Sequence, residues 1–213
     1  MILAVFDLDG TIADTIEDLG DAVNYGLRVL GYPEHDYEKY KKMVGNGAPV
    51  LCFRALPDGH KDEADRLHEL FREYYTVHYL DKTRLYAGMD KAVSTLSEAG
   101  VKVAVATNKP QDVARCLVAK LLPDVGFEAV LGGCAERAKK PDRAIIDEIL
   151  SAVNGVTEMF MIGDSNVDIQ TAQNAGMRSI GCAWGFRGSE ELILAGADYI
   201  AASPGDICRF ILR

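Results

Sequence analysis

Apolar and polar positions divide the chain into two kinds of segment. Six short apolar runs, several rich in β-branched residues, stop at polar or glycine-rich turns: 1–6, 101–106, 128–131, 159–162, 178–182 and 199–201. Runs of this length and composition predict strands buried in a parallel sheet. Between them, apolar residues recur at three- and four-residue spacing, the period of a helix. This predicts helices over 88–99, ended by Gly100, over 111–121, over 141–152 and from after Ser165 to about Ala175, ended by Gly176. Pro141 is expected at the first helical position of its helix, where its missing N–H is an orphan anyway.

A different pattern occupies the stretch between the first two runs. Ile16, Leu19, Val23, Leu27 and Leu30 predict an amphipathic helix, capped by Thr15 and ended by Gly31 and Pro33. A short polar helix is expected over 36–43. After the break at Gly45-Asn46-Gly47, a second is expected around Val50, Leu51, Phe53 and Leu56, stopped by Pro57-Asp58-Gly59. Residues 60–80 carry Ala64, Leu67, Leu70, Phe71, Tyr74, Tyr75 and His78 on one helical face. No strand pattern occurs from about residue 15 to residue 82. The expectation is therefore an α/β protein. Residues 1–14 and 83–213 form a Rossmann-like parallel sheet with helices on both faces, and 15–82 form a helical domain inserted after the first strand.

Composition narrows the partners. The chain has 213 residues, 48% hydrophobic and 26% charged, the balance of a globular protein. A net charge of −9 argues against nucleic acid or an anionic membrane as partner, though local lysines still allow an anionic substrate. No apolar stretch reaches membrane-spanning length. The first apolar run ends at Asp7 and lacks a basic leader, so no secretory signal is expected. Five widely spaced cysteines without a Cys-x-x-Cys pair suggest reduced thiols in a cytoplasmic protein. His35, His60, His68 and His78 lack metal-ligand spacing and read as surface or packing residues.

The chemistry collects where the strands end. The first delivers Asp7 and Asp9, the second Thr107 and Asn108, the loop and helix start after the third Lys140, and the fourth Asp164, with Asp168 one turn later. Parallel strands present their carboxyl ends together, so these side chains converge on one edge. Carboxylates that close stay ionised only beside a positive charge. Oxygen ligands suit a hard divalent cation such as magnesium. A lysine, a hydroxyl and an amide suit a phosphoryl group. Lys109 and Lys139 flank this set and read as solvated surface charges, Asp14 as a helix-entry residue and Cys134 as an incidental thiol.

Four segments carry a resemblance to a known family: Phe6-Asp7-Leu8-Asp9-Gly10-Thr11, Ala106-Thr107-Asn108-Lys109-Pro110, Lys140-Pro141-Asp142 and Gly163-Asp164-Ser165-Asn166-Val167-Asp168. The chain resembles the haloacid dehalogenase superfamily, in its phosphoglycolate phosphatase-like branch, over nearly its whole length. The resemblance implies a magnesium-dependent phosphatase acting on a small phosphorylated metabolite through an aspartyl phosphate, as a monomer or weak homodimer. It implies Asp7 as nucleophile and metal ligand. Asp9 would be the general acid/base and would bind the metal through its backbone carbonyl. Thr107, Asn108 and Lys140 would hold the phosphoryl group, Asp164 would complete the metal ligands, and Asp168 would support them. The inserted helices resemble the family's first kind of cap, with Gly45-Asn46-Gly47 similar to the cap stretch that faces the active site and selects substrates. The loop Ala135 to Lys139 departs from the family pattern, and Arg143 stands where a second proline is common, which loosens any specific substrate assignment.

Three rivals stay open. A haloalkanoic-acid dehalogenase lacks the second aspartate that stands here as Asp9. A sugar-phosphate mutase shares the four segments and differs mainly in the cap. A receiver-type signalling module carries its phosphorylated aspartate on a mid-chain strand and has no helical insert.

Overall fold

Residues 1–213 are described by a computed structural model. In chain order the elements begin with β1 (Ile2–Phe6), β2 (Ala13–Asp14), α1 (Ile16–Leu30), α2 (Tyr37–Lys41) and α3 (Ala48–Ala55). A 3-10 turn (Lys61–Glu63), α4 (Ala64–His78), β3 (Arg84–Leu85), α5 (Met89–Glu98), β4 (Lys102–Pro110) and α6 (Gln111–Leu121) follow. The chain continues through β5 (Ala129–Gly133), α7 (Ala144–Ala152), β6 (Glu158–Gly163), α8 (Asn166–Ala175) and β7 (Arg178–Cys182). It closes with α9 (Gly188–Leu194), β8 (Tyr199–Ala201) and α10 (Pro204–Ile211).

The chain divides into two units, Met1–Ala13 with Leu85–Arg213, and Asp14–Arg84. The first holds a six-stranded sheet in the order β5-β4-β1-β6-β7-β8, parallel at every pairing. Leu3, Ala4, Val5 and Phe6 of β1 are fully buried, which explains a run without polar alternation. Leu3 and Val5 face Ile145, Ile146 and Ile149 of α7 and Met161 of β6 in one apolar cluster. Each such buried side chain contributes roughly 1.5–3 kcal/mol relative to exposure. Connections run outward in both directions from β1, so the strand order reverses beside it. Open parallel sheets bind ligands at that place, past the carboxyl ends of the strands.

The second unit is helical. Gly26 of α1 meets α4 closely, and a Cβ there would stand 2.5 Å from Leu67 Cδ1. Asn24 pins the α1–α2 loop by bonding the backbone of His35 at both ends of its amide, 2.9 Å each, while Tyr40 donates to its Oδ1 at 2.6 Å. The four histidines make packing and hydrogen-bond contacts here: His35 with Ala55 O, His60 with Tyr32, His68 with Phe71 and His78 with Asp81.

Several expectations need correction. The helix α7 begins at Ala144, not Pro141; residues 140–143 form a turn because Asn108 ties down Lys140 N and O, and Asp142 Oδ1 accepts from Ala144 N at 2.8 Å. Strand β4 continues past Ala106 to Pro110, with a shift in pairing that sets Pro110 opposite Gly133. Thr15 stands at the α1 N-cap but makes no side-chain cap bond; Asp14 Oδ1 accepts from Ile16 N at 3.4 Å instead. The helices α9 and α10 were not foreseen, although Ser203 and Asp206 form a capping box around Pro204, a start signal legible in the sequence.

Candidate active site

Asp7 follows β1 directly, and its N–H still donates to Ile162 O at 2.8 Å, so the sheet itself fixes its backbone. Lys140 Nζ lies 2.9 Å from Asp7 Oδ1 and 2.6 Å from Asp168 Oδ1. The other oxygen of Asp168 accepts from Ser165 N at 3.1 Å and Ser165 Oγ at 2.8 Å, the capping box that starts α8. Both oxygens of Asp168 are therefore committed to protein donors. Asp164 accepts from Phe186 N at 2.7 Å and, at the longer distance of 3.5 Å, from Thr11 Oγ1.

Glycines clear the space these carboxylates occupy. Gly10 has φ of +81°, and a Cβ there would fall 2.3 Å from Asp164 Oδ2. A Cβ on Gly185 would fall 2.2 Å from Asp164 Cβ. The turn between them is held by Trp184, whose Nε1–H donates to Thr11 O at 3.2 Å while its ring meets Tyr86 edge-on at 6.4 Å. The segment after β7 thus fastens the loop that carries Asp7 and Asp9.

The electrostatics point to a missing positive charge. Ligand oxygens of Asp7, Asp164 and Asp168 lie within 4.8 Å of one another, and all three residues are buried. Burial, opposed by Lys140 and helped by Asp168 and Asp9, leaves Asp7 pushed up to about 6. Burial, with Asp168 and Asp7 nearby, also holds Asp164 well above the carboxylate range. Burial alone would lower Lys140, but Asp168 and Asp7 outweigh it and hold the ammonium charged. Fully ionised, the three carboxylates would face one ammonium with two negative charges uncompensated, the charge of one divalent cation. The donors are all oxygens, as magnesium and calcium require. The residues present therefore fit a divalent metal site.

The remaining expected residues fall into three places. Thr107 and Asn108 are buried at the end of β4, where Asn108 Nδ2 donates to Lys140 O at 3.1 Å and Oδ1 accepts from Lys140 N at 2.9 Å. Asn108 thereby fixes the backbone that presents Lys140. Asp9 directs its carboxylate to Lys109, whose Nζ lies 2.9 and 3.2 Å from its two oxygens. The reading of Lys109 as a solvated surface charge is wrong: it is 4% exposed. Strand β4 runs on through position 109, which the apolar run 101–106 does not announce, and so brings Lys109 to Asp9. Lys139 is exposed, as read. Gly45, Asn46 and Gly47 lie in the helical unit, both glycines at positive φ (124° and 87°), with Asn46 Oδ1 accepting from Arg54 Nη2 at 2.9 Å. Ser165, Trp184 and the N–H of Phe186 complete the set, and a backbone donor such as Phe186 N carries no signal in residue type.

Comparison with known proteins agrees with this arrangement. A family described as haloacid dehalogenase-like hydrolase matches residues 4–182. The phosphoglycolate phosphatase of Vibrio parahaemolyticus is 33% identical over 221 aligned positions, covering 98% of this chain and 95% of that protein. The phosphoglycolate phosphatase of Agrobacterium fabrum is 37% identical, covering 86% of this chain and 81% of that one. A crystal structure from Lactobacillus delbrueckii subsp. bulgaricus superposes with a TM-score of 0.92 at 31% identity, covering 98% and 97% of the two chains.

Proposed function

This chain belongs to the haloacid dehalogenase-like hydrolase family, and on that premise we propose that it hydrolyses a small, phosphoglycolate-like phosphate monoester with magnesium as cofactor. The observation that carries the reading is the buried set of three carboxylates sharing one lysine, which leaves room in charge for a divalent cation beside a nucleophile. Asp7 and Asp164 are the carboxylates to hold the metal, with the backbone carbonyl of Asp9. Asp168, with both oxygens bonded to Lys140 and Ser165, supports them from behind. Once bound, the metal neutralises the carboxylates and polarises the phosphoryl oxygens.

The chain's own residues then act in two steps. A carboxylate oxygen of Asp7 attacks phosphorus, and the bond from phosphorus to the leaving oxygen breaks. Asp9 gives that oxygen its proton. Water next attacks the phosphorus of the aspartyl phosphate and loses a proton to Asp9; the bond to Asp7 breaks and inorganic phosphate leaves. Lys140 and Thr107 hold the charge developing on the phosphoryl oxygens, and Asn108 keeps Lys140 in place. Asp7 must be ionised to attack, which its value of about 6 permits at neutral pH even without metal.

Substrate choice belongs, in this reading, to the helical unit, with Gly45-Asn46-Gly47 as the selecting segment. The support is a turn that only glycines adopt readily, pinned from within the unit by Arg54. A panel of small phosphate esters, scored for released phosphate with magnesium and after chelation, tests the proposal. Magnesium-dependent release of many equivalents from two- and three-carbon acid phosphates is expected. Isomerised ester without free phosphate would make the chain a mutase, and full activity after exhaustive chelation would remove the metal from the account.

A further inference from the structure

Lys109 takes no part in the mechanism above, yet it is a buried ion-pair partner of Asp9, the residue that moves the proton in that mechanism. Strands β1 and β4 run side by side with Leu3 opposite Lys102 and Phe6 opposite Val105. Past that last pair, Asp9 comes three residues after Phe6 and Lys109 four residues after Val105. Asn108 turns to the backbone of Lys140, and Lys109 turns the other way, to Asp9. Its Nζ meets both carboxylate oxygens, at 2.9 and 3.2 Å, and its side chain is 2% exposed against 14% for Asp9. Burying an ammonium costs several kcal/mol unless a charge meets it. This pairing, across 100 residues of chain, is built into the fold.

The pairing has a consequence for the acidic cluster. Asp7, Asp164 and Asp168 group their oxygens within 4.8 Å, and Asp9, only two residues from Asp7, is outside that group. A further carboxylate so near would be drawn to any cation held there and would then be lost as a proton carrier. We propose that Lys109 is a positioning residue that holds the Asp9 carboxylate off the metal cluster and keeps it free to take the proton of the attacking water. The kinetic half of the inference rests on the phosphatase reading; the metal-binding half does not.

Lys109→Met keeps much of the stem and removes the charge, and Lys109→Arg keeps the charge. Isothermal titration of the full chain with magnesium, without substrate, is the first readout. Lys109→Met is expected to bind magnesium about 5- to 10-fold tighter than the parent, and Lys109→Arg within about twofold of it, a coupling of ordinary size for charges this close. The kcat with an alkyl phosphate is expected to fall about 10²-fold in Lys109→Met, part of the roughly 10²–10⁴-fold that a placed acid/base supplies. Losing kcat while gaining metal affinity is a signature that general loosening of the fold does not give. In an Asp9→Asn background, Lys109→Met should change neither magnesium affinity nor kcat further. Equal tightening in both backgrounds would reduce Lys109 to a distant charge and overturn the proposal, as would an unchanged affinity in Lys109→Met or a further loss of kcat in the double variant. Should Lys109→Met not fold, Asp9→Asn with Lys109→Met, which leaves neither charge orphaned, decides against Asp9→Asn alone. Should the parent release no phosphate from any ester, the phosphatase reading falls and the magnesium titration still decides this one.

Discussion

At the strand ends of the sheet unit, charges pair deep in the protein and far apart in sequence; in the helical unit they pair at the surface, several of them within one turn of helix. Lys140 with Asp7 and Asp168, and Lys109 with Asp9, are ion pairs whose side chains are 1% to 14% exposed. Lys41–Glu38, Arg66–Glu69 and His78–Asp81 are three residues apart on or near one helix, with Arg66 and Glu69 side chains 59% and 67% exposed. Water screens the second kind, and each is worth about 0–1 kcal/mol. Removing one partner of the first kind strands a charge in low dielectric and costs roughly 3–5 kcal/mol. The contrast marks the strand-end pairs as the ones whose loss the protein would feel most.

Lys140→Met is the largest blow to that contrast. It removes the only ammonium among three buried carboxylates and, in the proposed mechanism, a donor to the transferring group. The kcat should fall about 10²–10³-fold, and stability by roughly 3–5 kcal/mol without metal, read by denaturant melts. Magnesium should restore part of the stability and little of the turnover. A variant as stable and as active as the parent would erase the distinction between the two units.

Metal and pH sharpen it at an intermediate scale. Burial holds Asp7 at about 6, above the ordinary carboxylate range, and Asp164 is also raised. The folded state thus binds protons more tightly than the unfolded one. This contribution to stability is full below about pH 4 and is lost as pH rises through about 6. Magnesium competes with those protons, so it should raise Tm more at pH 8 than at pH 5, by roughly 2–4 °C for each kcal/mol of difference. An equal rise at both values, or a smaller one at pH 8, would place the metal elsewhere. The smallest effect belongs to the helical unit. Arg66→Ala and Glu69→Ala should each stay within about 0.5 kcal/mol of the parent in melts and leave kcat unchanged.

Much of the fold was legible because its signals are local. Strands β7 and β8 stand where the apolar runs 178–182 and 199–201 predict them, and the helical stretch before residue 82 follows its 3.6-residue period. The approach of Asp7, Asp164 and Asp168 was legible too, because parallel strands end on one edge. What escaped depends on partners far along the chain. The start of α7 is set by Asn108, 32 residues before Lys140, which no local rule at Pro141 contains. The burial of Lys109 goes with its pairing to Asp9, 100 residues earlier in the chain, which a pattern of apolar residues does not state. Lysine in a turn-like stretch before proline reads as solvated until its neighbour is known.

The claim at the centre of this account is that Asp7 carries the phosphoryl group and Asp9 moves the proton. Asp9→Asn separates the two roles, since asparagine keeps the backbone carbonyl and nearly the shape but has no carboxyl proton to exchange. An aryl phosphate with an acidic phenol needs little help in leaving, so Asp7 should still be phosphorylated, while the hydrolysis that follows lacks its base. Rapid-quench intact-mass measurement of Asp9→Asn with such a substrate and magnesium should show a phosphorylated chain accumulating, with the modification mapped to Asp7. Hydrolysis of alkyl phosphates at the parent rate, or a phosphoryl group found on any residue other than Asp7, would contradict the account.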